Sequence, residues 1–524
     1  MSIIAESDTA SSGPDVSFIT LGCAKNEVDS DRMKARVLAA GFNVIEDPER
    51  ADAIIINTCA FLTEATEESL AMIFQTLDLD SISKGNGKLV VAGCLPSRYK
   101  ADLYSELPEV AAFIPTDAED TIVDVLTSIL SVEEKPYSVQ QSMSARESVL
   151  EEGKSFLRTV DAPWAYVKIS DGCDRFCSFC TIPFIRGRYR SRSAEEIFSE
   201  VDGLVAKGVR EIILIGQDTG IWGKDLTRRT RAIVEPDSSP EPEPEPEPEL
   251  SSSLGLEPEP SPVQGPANLA QLLGTLASRH PQTWIRVMYL QPLGVTDELL
   301  NVMSKHDNIC KYLDIPLQHA SKRVLRDMNR TGDGSEFLEL LGKIRATMPS
   351  VVLRTTVIAG FPGETKADFK ELEDFLRVAR FDYVGVFAYS QEEGTKAGDR
   401  SDQVPGKTRR IRAQKLRDLV DQIGFELNEQ KLGMTCEVLI CGEEEDELAD
   451  GLADNDSSPE SSYLCEVDST NGAQGLIART QGQAPDVDGV VHLEEGDVGS
   501  IVSVSITGAY CYELEAEILE VVRA

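Results

Sequence analysis

The sequence predicts an α/β protein in three parts: an N-terminal parallel α/β domain, a partial (β/α)6 barrel, and a small antiparallel β-barrel at the C-terminus. Three observations support this. Strand-like apolar runs alternate with helix-like segments through two successive blocks, which is the pattern of parallel sheets. The last block carries short β segments broken by turn signals, the pattern of a small barrel. The chain has 524 residues, 41% of them hydrophobic, enough for two or three cores.

The first block, expected over 14–130, contains the apolar runs "VSFITLGC", "AIIINTC" and "KLVVAGC", separated by the helix-like "SDRMKARVLAAG" and "TEESLAMIFQTL". The second, 160–425, repeats the theme with "WAYVKIS", "VREIILIGQ", "TWIRVMYL", "YLDIPLQ", "VVLRTTVIAGFPGE" and "FDYVGVFAYS". Six βα units form an incomplete barrel with its loops at one open end. The third, 430–524, reads as five short segments: "TCEVLICG", "YLCEVD", "LIARTQ", "GVVHL" and "GSIVSVSITGAYCYELEAEIL".

Two stretches interrupt these blocks. The Pro/Glu repeat at 236–266 has too few apolar residues to offset the entropy of ordering, so a disordered, extended insert is expected. It follows the second barrel strand, on the face where barrel enzymes keep their sites; it is either a solvated linker or a feature that steers a basic partner. A similarly acidic loop spans 443–462, inside the last block.

Charge narrows the function classes. Lys and Arg total 51 against 89 Asp and Glu, a net of −38. From Asp421 onward there are 24 acidic residues and three basic ones, Lys431, Arg479 and Arg523. Such a surface repels a phosphate backbone. The longest apolar runs stop short of the roughly 20 residues that a bilayer crossing needs, and the start has no basic stretch leading into an apolar core. A soluble, cytoplasmic protein with no membrane partner is expected. Eleven cysteines at wide intervals are too sparse for a disulfide scaffold, and in a reducing compartment they point to metal binding or buried thiols.

The stretch "DGCDRFCSFC" sets Cys173, Cys177 and Cys180 at C-x3-C-x2-C spacing. A zinc shell would close with four Cys or His ligands, yet none of His280, His306, His319 and His492 lies within 90 residues. Zinc would therefore need a distant cysteine as its fourth ligand. Three thiolates can instead hold three irons of a 4Fe-4S cluster and leave the fourth iron open to a small molecule. A second set, Cys23, Cys59 and Cys94, ends three apolar runs at intervals of 36 and 35 residues. Carboxyl ends of parallel strands converge on one sheet edge, so these three can meet there. The alternative is three buried structural cysteines.

"ISDGCDRFCSFCTIPFIRGRYRSR", after the first barrel strand, resembles the signature of radical S-adenosylmethionine (SAM) enzymes. The block with "LGCAKNEVDS", "NTCAFLTEATEES" and "AGCLPSRY" resembles the N-terminal domain of methylthiotransferases in that superfamily. "IARTQGQAPDVDGVVHL" with "GDVGSIVSVSITGAYCYEL" resembles the TRAM domain, a small barrel that binds RNA in tRNA-modifying relatives. The chain is thus identified as similar to radical SAM methylthiotransferases over nearly its whole length. The resemblance implies two 4Fe-4S clusters: a radical-generating one on Cys173, Cys177 and Cys180, where SAM chelates the open iron, and an auxiliary one on Cys23, Cys59 and Cys94 that supplies sulfur. It implies that Phe179 lies against the adenine and that Gln217 in "LIGQDTG" holds the methionine moiety, unless Gln217 only caps backbone groups. It places Gly360 of "IAGFPGE" at the border of the adenosine; the other reading is a tight turn before a helix.

Two branches of the family compete, one modifying an adenosine in tRNA and one modifying an aspartate of small-subunit ribosomal protein S-twelve. "GCAKNEVDS", "GVFAYSQEEGTKA" and "RTQGQAPDVDG" resemble the second branch, and the acidic C-terminal block argues against tRNA and for a basic protein substrate. The reaction implied is transfer of a methylthio group to the aspartate β-carbon, with one SAM methylating the sulfur and a second furnishing the radical. A reductant and a sulfur donor are then required partners. No catalytic residue beyond the cluster ligands is expected. A non-catalytic iron-sulfur electron carrier is the reading from another class. Arg186, Arg188, Arg190 and Arg192 either bind an acidic group or are solvated or internally paired. His319 is expected to be a satisfied structural histidine, and Cys310, Cys436, Cys441, Cys465 and Cys511 to be ordinary thiols.

Overall fold

The computed structural model describes residues 13–131, 158, 160–226, 265–443 and 475–523. In the first domain β1 (Asp15–Thr20), β2 (Asn43–Val44), β3 (Ala53–Thr58), β4 (Lys88–Gly93) and β5 (Ala112–Pro115) form one parallel sheet in the order β2-β1-β3-β4-β5. β3 is buried along its whole length because helices cover both faces. Ile54, Ile56, Leu89 and Val91 face one core, while Ala53, Ile55, Val90 and Ala92 face the other, as the two-residue period of a strand requires. β2 and β5, with two and four residues, are too short to stand out as apolar runs.

The second domain supplies β6 (Trp164–Lys168), the short pair β7 (Ser170–Asp171) and β8 (Arg190–Ser191), then β9 (Glu211–Ile215), β10 (Trp284–Val287), β11 (Tyr312–Asp314), β12 (Val352–Ala359) and β13 (Tyr383–Ala388). β6, β9 and β10 pair in parallel, as do β11, β12 and β13, and an Ile285–Ile309 bridge links the two halves. Six parallel strands therefore curve into an incomplete barrel with β6 and β13 at its edges. Alternate residues, among them Val167, Leu214, Val287 and Leu353, pack against the surrounding helices; Tyr166, Ile213, Trp284, Tyr312 and Tyr383 share a second, inner core. The first domain covers the open edge: helix α1 (Ala24–Ala39) packs along β6, and its Val28 joins the inner core.

The third domain is a closed barrel of β14 (Thr435–Glu443), β15 (Leu476–Thr480), β16 (Val491–Leu493), β17 (Ile501–Ala509) and β18 (Leu514–Arg523). Its pairings are antiparallel except β16–β18, which is parallel and closes the ring. The segment "GSIVSVSITGAYCYELEAEIL" is two strands, turned where the Tyr510 N–H bonds the Glu513 carbonyl at 2.9 Å. "YLCEVD" with Cys465, the acidic loop beyond Glu443, and the Pro/Glu insert except for its last two residues lie outside the described residues.

This small barrel seals the amino-terminal end of the large one. Leu439, Ala484 and Ile501 complete the inner core. Across the seam Glu211, fully buried, sits 2.7 Å from Arg286 Nε and 2.7 Å from Arg479 Nη2. Arg286 also donates to the Gln481 carbonyl at 2.9 Å. Burial alone would raise the Glu211 carboxyl, yet the two guanidiniums hold it below its ordinary value. Nearby, Asp488 accepts from the Tyr312 hydroxyl at 2.7 Å and from Arg354 Nε at 3.2 Å.

Removing one partner of such a buried set strands the others. Glu211→Ala should therefore cost about 3–5 kcal/mol and lower the melting temperature by several degrees, whereas Glu517→Ala on the exposed face of the small barrel should stay within about 0.5 kcal/mol. Thermal and urea unfolding of both variants checks this; equal melting of Glu211→Ala and the parent would contradict it.

Candidate active site at the domain junction

The loop carrying the first cysteine trio leaves the carboxyl end of β6 and is closed at its base by the β7–β8 pair, which sets Asp171 opposite Arg190. Gly172 makes the closure possible. Its φ is +71°, and a Cβ there would lie 2.3 Å from the Arg188 carbonyl oxygen. Cys173 is buried and Cys177 and Cys180 are half-buried. Ser178 pins the middle of the loop to the barrel: its N–H donates to the Met328 carbonyl at 3.0 Å, its hydroxyl to the Asp327 carbonyl at 2.8 Å, and its own carbonyl accepts from Ala397 N–H at 2.8 Å. Phe179 lies half-buried on the barrel core. Burial pushes the Cys180 thiol up to about 12, helped by its cysteine neighbours and opposed by Arg330. Arg330 Nη1 stands 3.8 Å from Cys177 Sγ.

Around this loop lie buried acceptors that the protein leaves unused. Gln217 follows β9 and donates through Nε2 to Asp171 Oδ1 at 3.3 Å, but its Oε1 makes no hydrogen bond. Asp218 bonds Arg175 through Oδ2 at 2.6 Å while its Oδ1 is also unpartnered. Buried polar atoms are normally satisfied, so this chemistry suits a ligand bringing donors such as an α-amino group. Gly360 is differently committed. It has φ +79°, its N–H donates to Glu364 Oε2 at 2.7 Å, and a Cβ would meet Arg409 Cγ at 2.6 Å, so the residue is built into a turn at the end of β12. Glu364, fully buried, organises that turn, reaching Arg412 at 2.6 Å and His319 Nε2 at 3.5 Å. His319 accepts the Ser321 N–H on Nδ1 at 2.9 Å, whereas its buried Nε2 makes no hydrogen bond, so the expectation of a satisfied histidine holds on one ring nitrogen alone.

The second trio ends three adjacent strands of the first sheet: Cys23 caps α1 after β1, Cys59 follows β3, and Cys94 opens the helix Cys94–Glu106 after β4. Glycines bring the turns together. At Gly22 (φ +96°) a Cβ would lie 2.6 Å from Cys59 Cβ and 3.0 Å from its Sγ, and at Gly93 (φ +93°) one would strike Asn57 Oδ1 at 2.3 Å. Ser69 fixes Cys59 by accepting its N–H at 3.1 Å and donating to its carbonyl at 2.8 Å. Burial pushes the Cys94 thiol up to about 12; Arg186 opposes this and the other two cysteines add to it. All six cysteines are free thiols. Among the described residues no three histidine, cysteine or carboxylate groups converge tightly enough for a single metal ion. Within each trio the thiols are close enough to raise one another electrostatically, and three thiolates are a donor set that an iron-sulfur cluster uses.

The two trios face a shared polar junction. Arg186, six residues after Cys180, has a side chain that is 2% exposed and donates to Asp29 Oδ2 at 3.0 Å, Asp171 Oδ2 at 3.4 Å, Asn26 Oδ1 at 2.8 Å and Cys94 Sγ at 3.8 Å. Lys168, at the end of β6, pairs with Asp29 and with Asp171, the latter at 2.8 Å. Further along the boundary Glu392 accepts from Thr63 N–H at 2.9 Å and Arg98 Nη2 at 3.0 Å. The four arginines after the cysteines do not converge on one site. Arg186 and Arg192 are paired internally, the latter to Glu200 at 2.6 Å, whereas Arg188 pairs with Asp174 at the surface and Arg190 is exposed. Asn26, Asp29, Asp171 and Lys168 were not singled out by the sequence reading, although a lysine within the apolar "WAYVKIS" is a visible sign of a buried charge with a partner.

Three family models match the chain: the uncharacterized protein family UPF0004 over residues 15–115, the radical SAM superfamily over 167–376, and the TRAM domain over 462–519. Among curated relatives, proteins named ribosomal protein uS12 methylthiotransferase RimO from Desulfitobacterium hafniense and Syntrophus aciditrophicus are each 36% identical over 96% of this chain and 98% of their own length. One from Clostridioides difficile is 35% identical with the same coverage. Among solved structures, the radical SAM methyltransferase TsrM from Kitasatospora setae aligns at 12% identity and TM-score 0.48, covering 80% of this chain and 79% of that one.

Where α1 and the small barrel approach each other, burial raises the Glu27 carboxyl to about 7, with Asp486 and Asp31 adding to the shift. A carboxyl raised from 4.5 binds its proton more tightly folded than unfolded, so it subtracts stability as pH climbs from about 4.5 through 7. Glu27→Gln stays neutral. Its melting temperature should approach that of the parent near pH 5 and exceed it by pH 8; curves that coincide across this range would contradict the assignment.

Proposed function

Because the chain belongs to the RimO family of ribosomal protein uS12 methylthiotransferases, we propose that it is a radical SAM enzyme placing a methylthio group on the β-carbon of an aspartate in uS12. What most supports this reading is that Arg186, on the segment that carries the first cysteine trio, reaches within 3.8 Å of Cys94 of the second.

Cys173, Cys177 and Cys180 would hold one 4Fe-4S cluster, and Cys23, Cys59 and Cys94 a second. With SAM bound, the first would supply one-electron cleavage to a carbon radical, and the second would supply sulfur. The protein's part is placement. Gln217 Oε1 and Asp218 Oδ1, unpartnered in the structure, would accept hydrogen bonds from the methionine end of SAM, and Phe179 would back the adenine. Gly360 contributes the turn that Glu364 and Arg409 hold, shaping that wall without donating to it. A β C–H is barely acidic, so a general base has little to offer there, and none of the four histidines is needed as one.

Substrate choice follows from charge. The last block, with 24 acidic against three basic residues, would speed encounter with a basic ribosomal protein and repel tRNA. The small barrel is docked at the amino-terminal end of the large one, whereas the cysteines lie at the carboxyl end, so this charge would act as a steering field. An external reductant, a sulfur donor and a cytoplasmic setting complete the proposal; no helix of the described residues is long and apolar enough to cross a membrane.

Anaerobically reconstituted parent protein should carry about eight irons, cleave SAM, and add a methylthio group to uS12 detectable by mass spectrometry. Cys177→Ala should lose both reactions. Cys94→Ala should still form 5′-deoxyadenosine but transfer nothing. Loss of a methylthio adenosine from tRNA, with uS12 unchanged, in a strain lacking the protein would overturn the choice of substrate.

A further inference from the structure

We propose that Arg186 is a positioning residue for the methylthio transfer: its guanidinium sets the second cysteine trio, through Cys94, at a fixed place relative to the first. This rests on the function proposed above. Arg186 lies on the same loop as Cys173, Cys177 and Cys180, yet it reaches across the domain boundary to the other sheet. Nη2 stands 2.8 Å from Asn26 Oδ1 and 3.8 Å from Cys94 Sγ, while Nη1 stands 3.0 Å from Asp29 Oδ2 and 3.4 Å from Asp171 Oδ2. Asn26 and Asp29 are on α1, the helix that Cys23 caps. Asp171 in turn receives Gln217 Nε2 at 3.3 Å. One side chain therefore contacts a cysteine of the second trio, the helix that begins at another, and the carboxylate that orients a residue beside the first.

Domain docking alone does not call for this arrangement. Buried ion pairs are often replaceable by apolar packing without loss of stability, and the same interface already has apolar contacts through Ile185 and a separate Arg32–Glu200 pair at 3.0 Å. The donor aimed at sulfur is the feature docking leaves unexplained. A cationic N–H on a ligating thiolate withdraws electron density, and hydrogen bonds to ligand sulfurs are among the levers that set a cluster's potential. Asn26 narrows the geometry. Its Nδ2 is spent on the Leu21 and Thr58 carbonyls at 2.8 and 2.9 Å, which turns Oδ1 toward Arg186. Only a planar fork with several donors serves Asp29, Asp171, Asn26 and Cys94 at once. Lysine can replace the charge but not the fork.

The test compares reconstituted full-length Arg186→Lys, Arg186→Met and Arg32→Met with the parent by iron content, melting temperature, midpoint potential of the second cluster, and methylthiolated uS12 formed per 5′-deoxyadenosine. Arg186→Lys should fold, retain its iron and still make 5′-deoxyadenosine, but form about tenfold less product per 5′-deoxyadenosine and show a more negative second-cluster potential. Arg186→Met should show the same potential shift or a larger one. Arg32→Met, which loosens the same interface without touching either trio, should melt lower with the potential and product ratio unchanged. The parent's potential and ratio in Arg186→Lys would overturn the proposal, as would Arg32→Met reproducing both changes. If Arg186→Met fails to fold, Arg186→Lys decides alone. Absence of product from the parent would count against the proposed function, and the potentials would still report on Arg186.

Discussion

The structure depends on keeping a small set of charges dry and mutually satisfied where the first two domains meet. Arg186, Lys168, Asp29 and Asp171 form a compact group of two cations and two anions. Taking any of them out of water alone would cost several kcal/mol; together they are tolerated because each has partners on more than one side. Burial raises the adjacent Glu119 carboxyl well above its usual range, with Asp29 adding to the rise. Because the set draws on α1, β6 and the cysteine loop at once, it completes only when both domains are folded and in register. On the proposal above, Arg186 carries this register to the second cysteine trio through Cys94.

The same logic recurs at the other end of the barrel, where Glu211 is held between Arg286 of the large barrel and Arg479 of the small one. Charged contacts at both ends of the barrel join the described parts of the three domains. The small barrel lies at the end of the large one away from the cysteines, so on the proposed function its acidic charge would act on a basic substrate through the field it sets up. The glycines show the same economy. Gly22, Gly93 and Gly172 each stand where a Cβ would collide with backbone or with a neighbouring side chain, and each adjoins a cysteine.

Much of this was legible in the sequence because period and spacing are local. The six barrel strands and the central strands of the first sheet announce themselves as apolar runs, Cys23, Cys59 and Cys94 stand at the ends of three of these, and Cys173, Cys177 and Cys180 are marked by their C-x3-C-x2-C spacing. β2 and β5 escaped notice because two- and four-residue strands carry too little periodicity. The last two strands read as one because the turn at Tyr510–Glu513 has no glycine or proline to mark it. The arginine run after Cys180 looked like a single cluster, but a short helix and the β7–β8 pair send its members different ways, two inward and two outward. Which arginine goes inward depends on Asn26 and Asp29, about 160 residues earlier in the chain, and local patterning cannot carry information over that distance.

On the proposed function each cysteine trio holds iron with one corner left open. Anomalous diffraction at the iron absorption edge, from crystals of anaerobically reconstituted protein, tests it most directly. Two separate iron-rich positions are expected, one enclosed by Cys173, Cys177 and Cys180 and the other by Cys23, Cys59 and Cys94. A zinc signal at either trio, or iron at only one of them, would contradict it.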